Sequence, residues 1–494
     1  MYLEGGDLMD VESLRGKTFK GVFWKFFERS FAQMVSLLVS IILARILDPE
    51  NYVVISIVTI FFTFANALIS GGLSTALIQK KDADQKDYSS VFWVSTALAV
   101  LIYGILCLCA PLISDLYGRP ELVSVIRVMG VVLIINNIKS IFGAYLSSHL
   151  LFKRAFYVIM TSSVLSATVG IVMAMRGYGV WALVFQQISA AVVDVILYAI
   201  VTKLRIRFYV SLSRVKQLFK YGSGIFAATI IGVIYEEISP LIIGIKFDSS
   251  NLSFYDKGKS FPSLINSACN DTLMSVLFPV MTKVQDDLGK VLTLTRRFIK
   301  TSSFLVFPLM MGFFCVADTF VSVILTDKWM PATIYIRIFS FNYLLNFIQM
   351  GNLQAIKAIG RSDIIFKLEC IKKVTYTLVL AVFIFAATSP VMIALAAVVN
   401  VIIATLINTR PNRKLIGYSY RAQLGDILPN FALSVLMGGV VLLLGFLPIF
   451  KPLLLIVQVL GGLLSYLVLA VLFKNESFFY IYNLVKAVIK REVH

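Results

Sequence analysis

The residues with chemical potential in this chain are charges set inside long apolar runs. Lys25, Glu28 and Arg29 stand in the first run, Arg127 and Lys139 in the fourth, and Asp194 in the sixth. Glu236 and Glu237 precede Pro240, and Asp256, Lys257 and Lys259 precede Pro262. Arg337 follows in the tenth run, and Glu369, Lys372 and Lys373 in the eleventh. An ionised side chain at membrane depth is costly unless it faces a bundle interior or a water-filled cavity. Cations near helix ends have another outlet, because long stems carry the charge to the headgroups, and Lys25, Arg127, Arg337, Lys372 and Lys373 are placed for that. Lys257 and Lys259 stand about 200° apart on a helix, so at most one points squarely into a given cavity. Glu28 and Arg29 also fit a plain interhelical ion pair. The densest cluster, from Glu236 to Lys259, is interrupted by proline, and charge beside an interrupted helix points to the site of a transported substrate. Buried Lys and Arg suit an anion, such as a lipid diphosphate or an acidic sugar. Asp194, Glu236 and Glu237 are the candidates for coupling to an ion.

Other chemistries have little to stand on. The chain holds two histidines, His149 and His494, which leaves almost no imidazole for acid–base work or metal binding. It has no GxxxxGK[ST] loop, no Gly-x-Ser-x-Gly elbow and no paired-carboxylate loop. The five cysteines, Cys107, Cys109, Cys269, Cys315 and Cys370, lie in or beside apolar runs without metal-ligand spacing, and read as small buried hydrophobes. Neither an enzyme nor a cofactor is expected. A membrane polymerase or ligase would call for a sizeable outer catalytic loop, and the outer loops are short.

These charges must be carried by membrane helices. Hydrophobic residues make up 59% of the chain and charged ones 15%, against about 25% charged in a soluble domain. Spanning takes roughly 20 apolar residues. Fourteen candidates occur, at 20–46, 51–73, 89–113, 122–147, 155–175, 178–202, 217–245, 252–280, 295–324, 331–358, 366–388, 390–409, 426–448 and 452–473. The fold class is therefore all-α, a polytopic membrane protein with about fourteen transmembrane helices. The least span-like stretch is 252–280, with its internal charges. Glu4, Asp7, Asp10 and Glu12 replace the basic start of a cleavable signal, so the first helix is expected to stay as an anchor.

The net charge of +18 concentrates on alternate loops. With the N-terminus inside, inner loops carry Lys80, Lys81 and Lys86, then Lys153 and Arg154, then Lys203 to Lys220, and later Lys283, Arg296, Arg297, Arg361 and Arg413. Outer loops hold little beyond Arg119, Arg176, Lys246, Lys328 and Lys451. This places both termini in the cytoplasm and excludes a nucleic-acid partner in favour of membrane lipids. The basic 203–220 connection divides the chain into an N-terminal six-helix lobe (1–203), a cytoplasmic linker (204–216), a C-terminal six-helix lobe (217–409), and two extra helices with a tail (410–494). Asp48 and Asn51 echo Asp248 and Asn251, as parallel repeats would. Residues 474–494 read equally as an amphipathic surface helix or a solvated tail.

Short motifs in a fixed order resemble a known family. Trp24-Lys25-Phe26-Phe27-Glu28-Arg29 opens the first helix, and Leu43-Ala44-Arg45-Ile46-Leu47-Asp48-Pro49-Glu50 closes it. Gly72 to Asp82, Gly177-Tyr178-Gly179-Val180-Trp181, Phe254 to Pro262, Phe307-Pro308, Asp327-Lys328-Trp329 and Gly360-Arg361-Ser362-Asp363 follow. In this order, over about residues 20–430, they resemble the Wzx-type oligosaccharide flippases. That polysaccharide transporter family shares a superfamily with multidrug extruders and the lipid II flippase. The resemblance implies a MATE-like fold of two lobes, a central cavity between helices 1, 2, 7 and 8, and alternating access. It implies transport of an undecaprenyl-diphosphate-linked oligosaccharide from the cytoplasmic to the outer leaflet of a bacterial plasma membrane. A polysaccharide polymerase and other synthesis proteins would then be partners. The competing expectation is an ion-coupled multidrug or metabolite exporter of the same superfamily. Carried onto this sequence, the cavity candidates are Lys25, Glu28, Arg29, Glu236, Glu237, Asp256, Lys257, Lys259 and Arg337. Charge is sparse on the second helix, so that wall would be polar and apolar only.

Overall fold

The computed structural model describes residues 6–492, except Gly71, Lys81, Leu150, Lys283 and Gln285. The side chain of Lys25 lies outside the described residues, as do Glu4, Lys81, Lys283 and His494. By its internal contacts the chain divides into two compact units, Met1–Ser253 and Phe254–His494. Every regular element among the described residues is helical.

The first unit holds α1 (Gly6–Ile46), α2 (Pro49–Ser70), α3 (Leu73–Gln79), α4 (Gln85–Tyr117), α5 (Glu121–Met129), α6 (Val131–Ser148), α7 (Phe152–Met175), α8 (Val180–Thr202) and α9 (Leu212–Lys246). The contact division differs from the linker division at 204–216, because α9 packs on α2, α3 and α4. One of those contacts is backbone on backbone. Gly72, at φ +71°, faces Gly222 so closely that a Cβ on Gly72 would come within 2.5 Å of the Gly222 carbonyl oxygen. Helix α10 (Ser250–Thr282) crosses the division. The second unit continues with α11 (Leu288–Phe320), α12 (Ala332–Leu344), α13 (Asn346–Ala358), α14 (Ser362–Ala386), α15 (Pro390–Leu415), α16 (Tyr420–Leu444), α17 (Lys451–Leu472) and α18 (Glu476–Glu492).

Local chemistry sets the helix ends. Pro49 opens α2 and Pro390 opens α15, where a missing N–H costs nothing. Gly118, in the left-handed region, closes α4. The echo at the first and seventh helices has a matching geometry. Asn51 N donates to Asp48 O at 3.0 Å, and Asn251 N donates to Asp248 O at 3.0 Å, in the turns α1–α2 and α9–α10.

Val53, Ile57, Leu122, Ile126, Leu133 and Val184 lie in the core of the first unit. Phe307, Met310, Phe347 and Tyr418 do so in the second. Large apolar side chains such as Leu108, Leu112, Phe385 and Phe446 also cover the outside. Water would not tolerate so continuous an apolar exterior, whereas lipid matches it, and helices satisfy their own backbone groups there. The chain is therefore a multi-pass membrane protein. Eleven helical segments among the described residues are long and apolar enough to cross a bilayer. The expected spans 252–280, 331–358 and 366–388 lie outside that set. They correspond to charged α10, to α12 and α13 (13 residues each, meeting at Leu345), and to charged α14. The C-terminal stretch is helical, with Phe478 and Ile481 of α18 packed against Phe304 and Tyr466, which favours the amphipathic reading of the tail.

Candidate functional site

The charges inside the helices fall into several separate groups, with Lys372 paired to Glu369 within α14. In the first unit, α8 presents Asp194, only 4% exposed, to Lys139 on α6, and the two form an ion pair. The second carboxylate oxygen, Oδ1, is buried and makes no hydrogen bond among the described residues. One turn on, the hydroxyl of Tyr198 lies within electrostatic reach of both Asp194 and Glu28. Glu28 is buried and Arg29 exposed, so consecutive residues of α1 serve opposite faces. Aromatic contacts fix that orientation, since Trp24 and Phe31 of α1 both pack on Phe156 of α7, at 5.3 and 6.0 Å between ring centroids. A carboxylate with one partnered and one unpartnered oxygen, in a low-dielectric surrounding, can accept a proton or a small cation. Glu236 and Glu237 lie on α9 of the same unit, the first exposed and the second half-buried, one turn before buried Pro240.

In the second unit the chemistry is basic and aromatic. Gly258 lets α10 lie directly against α12, where a Cβ would fall 2.3 Å from Tyr335 Cβ and 3.0 Å from the Ala332 carbonyl oxygen. Tyr255 reinforces the contact with rings 5.7 Å from Tyr335 and 5.1 Å from Phe339. This packing turns Lys257 inward, 8% exposed, with Nζ 5.7 Å from the ring centroid of fully buried Trp329. An ammonium over an indole face is held by the ring quadrupole. Asp256 and Lys259 are half-buried, so the two lysines do face differently, as their spacing requires. Arg337 of α12 pairs with Asp318 of α11 and lies 5.9 Å from the Phe314 ring centroid. Its charge is thus matched within its own unit.

Sequence reasoning missed two further carboxylates. Asp87, wholly buried near the start of α4, accepts from Lys80 Nζ at 2.5 Å and from Arg214 Nη1 at 3.0 Å. Together with Asp84 it forms a reciprocal cap of α4. Burial alone raises the Asp84 carboxyl, but the Asp87 amide and the Arg214 guanidinium hold it below its usual range. The connection between α8 and α9 is strapped onto the same helix. Arg207 N donates to Ser89 Oγ and Ser211 N to Ser90 Oγ, both at 3.1 Å, and Trp93 Nε1 donates to Arg207 O at 3.0 Å. In the second unit, Asp426 of α16 accepts two bonds from Arg296 at 2.8 and 2.9 Å and one from the Tyr418 hydroxyl at 2.8 Å. Lys300 Nζ lies 3.4 Å from Asp426 and 2.9 Å from Glu476. The capping spacing Asp84-x-x-Asp87 is a signal that could have found the first network. Nothing local marks the second, whose partners stand 130 residues apart.

Comparison with known proteins gives consistent likenesses. The family described as polysaccharide biosynthesis protein matches residues 42–334, more than half of the chain. The succinoglycan biosynthesis transport protein ExoT of Rhizobium meliloti (strain 1021) is 26% identical over 290 residues, 58% of this chain and only 58% of that protein. The lipopolysaccharide biosynthesis protein WzxC of Escherichia coli (strain K12) is 23% identical over 433 residues, 86% of each chain. Among solved structures, the lipid II flippase MurJ in an inward closed conformation superposes with a TM-score of 0.74 at 15% identity, over 92% of this chain and 98% of that one. That likeness establishes the fold.

Proposed function

This chain belongs to the polysaccharide biosynthesis protein family, and we propose that it is a flippase for a lipid-linked oligosaccharide in surface-polysaccharide synthesis. It is a transporter rather than an enzyme. The observation that carries the reading is α10, where Lys257 is buried against Trp329 near the half-buried Lys259, within a chain similar to a succinoglycan biosynthesis transport protein and a lipopolysaccharide biosynthesis protein. A cationic surface at membrane depth fits the diphosphate of a polyprenyl-linked sugar, whose tail stays in lipid while the sugar crosses through a wet cavity. Access alternates between the two faces as the lobes rock. The substrate contacts are drawn from Lys25, Glu28, Arg29, Glu236, Glu237, Asp256, Lys257, Lys259 and Arg337. Arg337 ranks last, because Asp318 already matches its charge. Ion coupling is assigned to Asp194 ahead of Glu236 and Glu237, because its Oδ1 is buried and open to a proton or cation. The protein sits in a bacterial plasma membrane with both termini cytoplasmic, following the Lys and Arg of its alternate loops. A polymerase of the same pathway is the natural acceptor of the product.

The test is depletion of the protein followed by mass spectrometry of polyprenyl-diphosphate oligosaccharides, with leaflet location read from access by an impermeant reagent. Build-up of a complete repeat unit in the inner leaflet, with loss of surface polymer, is expected. Normal lipid-linked sugars and normal polymer in a strain without a second flippase overturn the reading.

A further inference from the structure

Two cavities meet at the Lys300–Glu476 ion pair of the second unit. One, about 450 Å³, is lined by Arg296, Arg297, Lys300, Ser477, Tyr480 and the hydroxyl-bearing Thr293 and Thr301. The other, about 410 Å³, shares Lys300, Glu476 and Ser477 and continues along Pro429, Leu433, Leu436 and Phe473. The first is cationic and rich in hydroxyls; the second turns apolar where α16 meets the end of α17.

The cations are unequal. Arg296 is committed through Nε and Nη2 to Asp426. Lys300 is shared between Asp426 and Glu476. Arg297 stacks on Tyr480 at 4.7 Å from the ring centroid and has no carboxylate partner among the described residues. Stacking occupies the face of a guanidinium and leaves its in-plane N–H donors free for an oxyanion. Glu476, largely exposed, reaches Lys300 from the first turn of α18. Its carboxylate stands in for an oxyanion at the mouth between the cavities.

We propose that this joint cavity is a binding site for an anionic glycerophospholipid. Its phosphate sits among Arg297, Lys300 and Ser477, displacing Glu476, and an acyl chain lies along Leu433, Leu436 and Phe473. The basic cavity alone would suit any phosphate. The apolar continuation selects a lipid, and basic pockets among transmembrane helices are where such headgroups bind. Occupancy would tie α18 to α11, so the lipid would secure the C-terminal helix. The site is separate from the charges assigned to transport, and its test does not require that the protein flip anything.

Full-length protein in detergent is titrated with phosphatidylglycerol or phosphatidylcholine, and bound lipid is read by native mass spectrometry. Phosphatidylglycerol is retained in preference to phosphatidylcholine. Arg297→Gln weakens that retention about fivefold, the loss of roughly one charge-assisted contact. Glu476→Gln strengthens it, since a competing carboxylate is gone. Arg361→Gln, on a surface pair elsewhere, leaves it unchanged. Inorganic phosphate at millimolar concentration does not displace the lipid. Equal retention of both lipids, no effect of Arg297→Gln, weaker retention in Glu476→Gln, or displacement by inorganic phosphate each overturn the assignment. Retention of undecaprenyl diphosphate with none of phosphatidylglycerol also overturns it, in favour of the substrate's own headgroup.

Discussion

The two units accommodate an in-helix lysine in opposite ways. In the first, Lys139 is answered by the carboxylate of Asp194 on a neighbouring helix. In the second, Lys257 lies over the face of Trp329. An ion pair meets a cation with a full opposite charge, whereas an aromatic face adds the weaker attraction of its ring quadrupole. The first arrangement therefore serves the helices that make it, with one carboxylate oxygen to spare. The second sets a buried cation against an indole face, the feature on which the proposed anion site rests.

The sharpest way to break this contrast is to remove each charge and ask what fails. Lys257→Met keeps length and apolarity, so folding should survive while export of surface polymer falls about tenfold or more, the loss of a charged contact. Polymer quantified per unit of membrane-inserted protein checks this, and full export would move the anion site elsewhere. Asp194→Ala should cost stability in addition to the ion-coupled export proposed for it. Stripping one partner from a buried pair costs about 3–5 kcal/mol, and the part-exposed Lys139 lowers that to about 2 kcal/mol. Thermal unfolding in detergent measures it, and the double variant with Lys139→Met should recover part of the loss. Gly258→Ala tests the packing that turns Lys257 inward. A methyl group 2.3 Å from Tyr335 Cβ must push α10 off α12, at about 1–3 kcal/mol. If its melting temperature matches wild type, the helices are not held that tightly.

The smallest effect belongs to a surface pair that resembles neither arrangement. Arg361 donates to Asp363 at 2.8 Å and holds its carboxyl down at about 2, against about 3.9 in an unfolded chain. A depressed carboxylate contributes stability that is full above the unfolded value and lost as pH falls through about 2. Between pH 5 and 8 the melting temperature of Arg361→Gln should therefore run parallel to wild type. Any divergence in that window would mean that Arg361 touches another titrating group.

Much of the fold was legible because lipid imposes a simple rule: a long apolar run must be a helix. The stretch 252–280 reads poorly as a span, yet α10 runs unbroken through it, with Gly258 packed on α12 and Lys257 set against Trp329. The junctions at Gly130 and Leu345 were not legible, since neither carries a proline or a polar cluster. The candidate charges were visible one by one. Their grouping was not, because Lys139 meets Asp194 across 55 residues and Arg214 meets Asp87 across 127. A periodic pattern reports which face is apolar; it carries no record of which distant polar residue completes a pair.

The strap between α8 and α9 has a consequence for how such a chain tolerates change. Its backbone is fastened to Ser89, Ser90 and Trp93, each a fixed number of residues from the next anchor. Side chains between the anchors are held less strictly than the spacing, although Phe208 packs on Trp93 and Lys86 lies over Tyr209, and an insertion or deletion would throw every later fastening out of step. Among relatives, this stretch should drift in composition while holding its length, and a tag placed there should be among the worst tolerated in the chain.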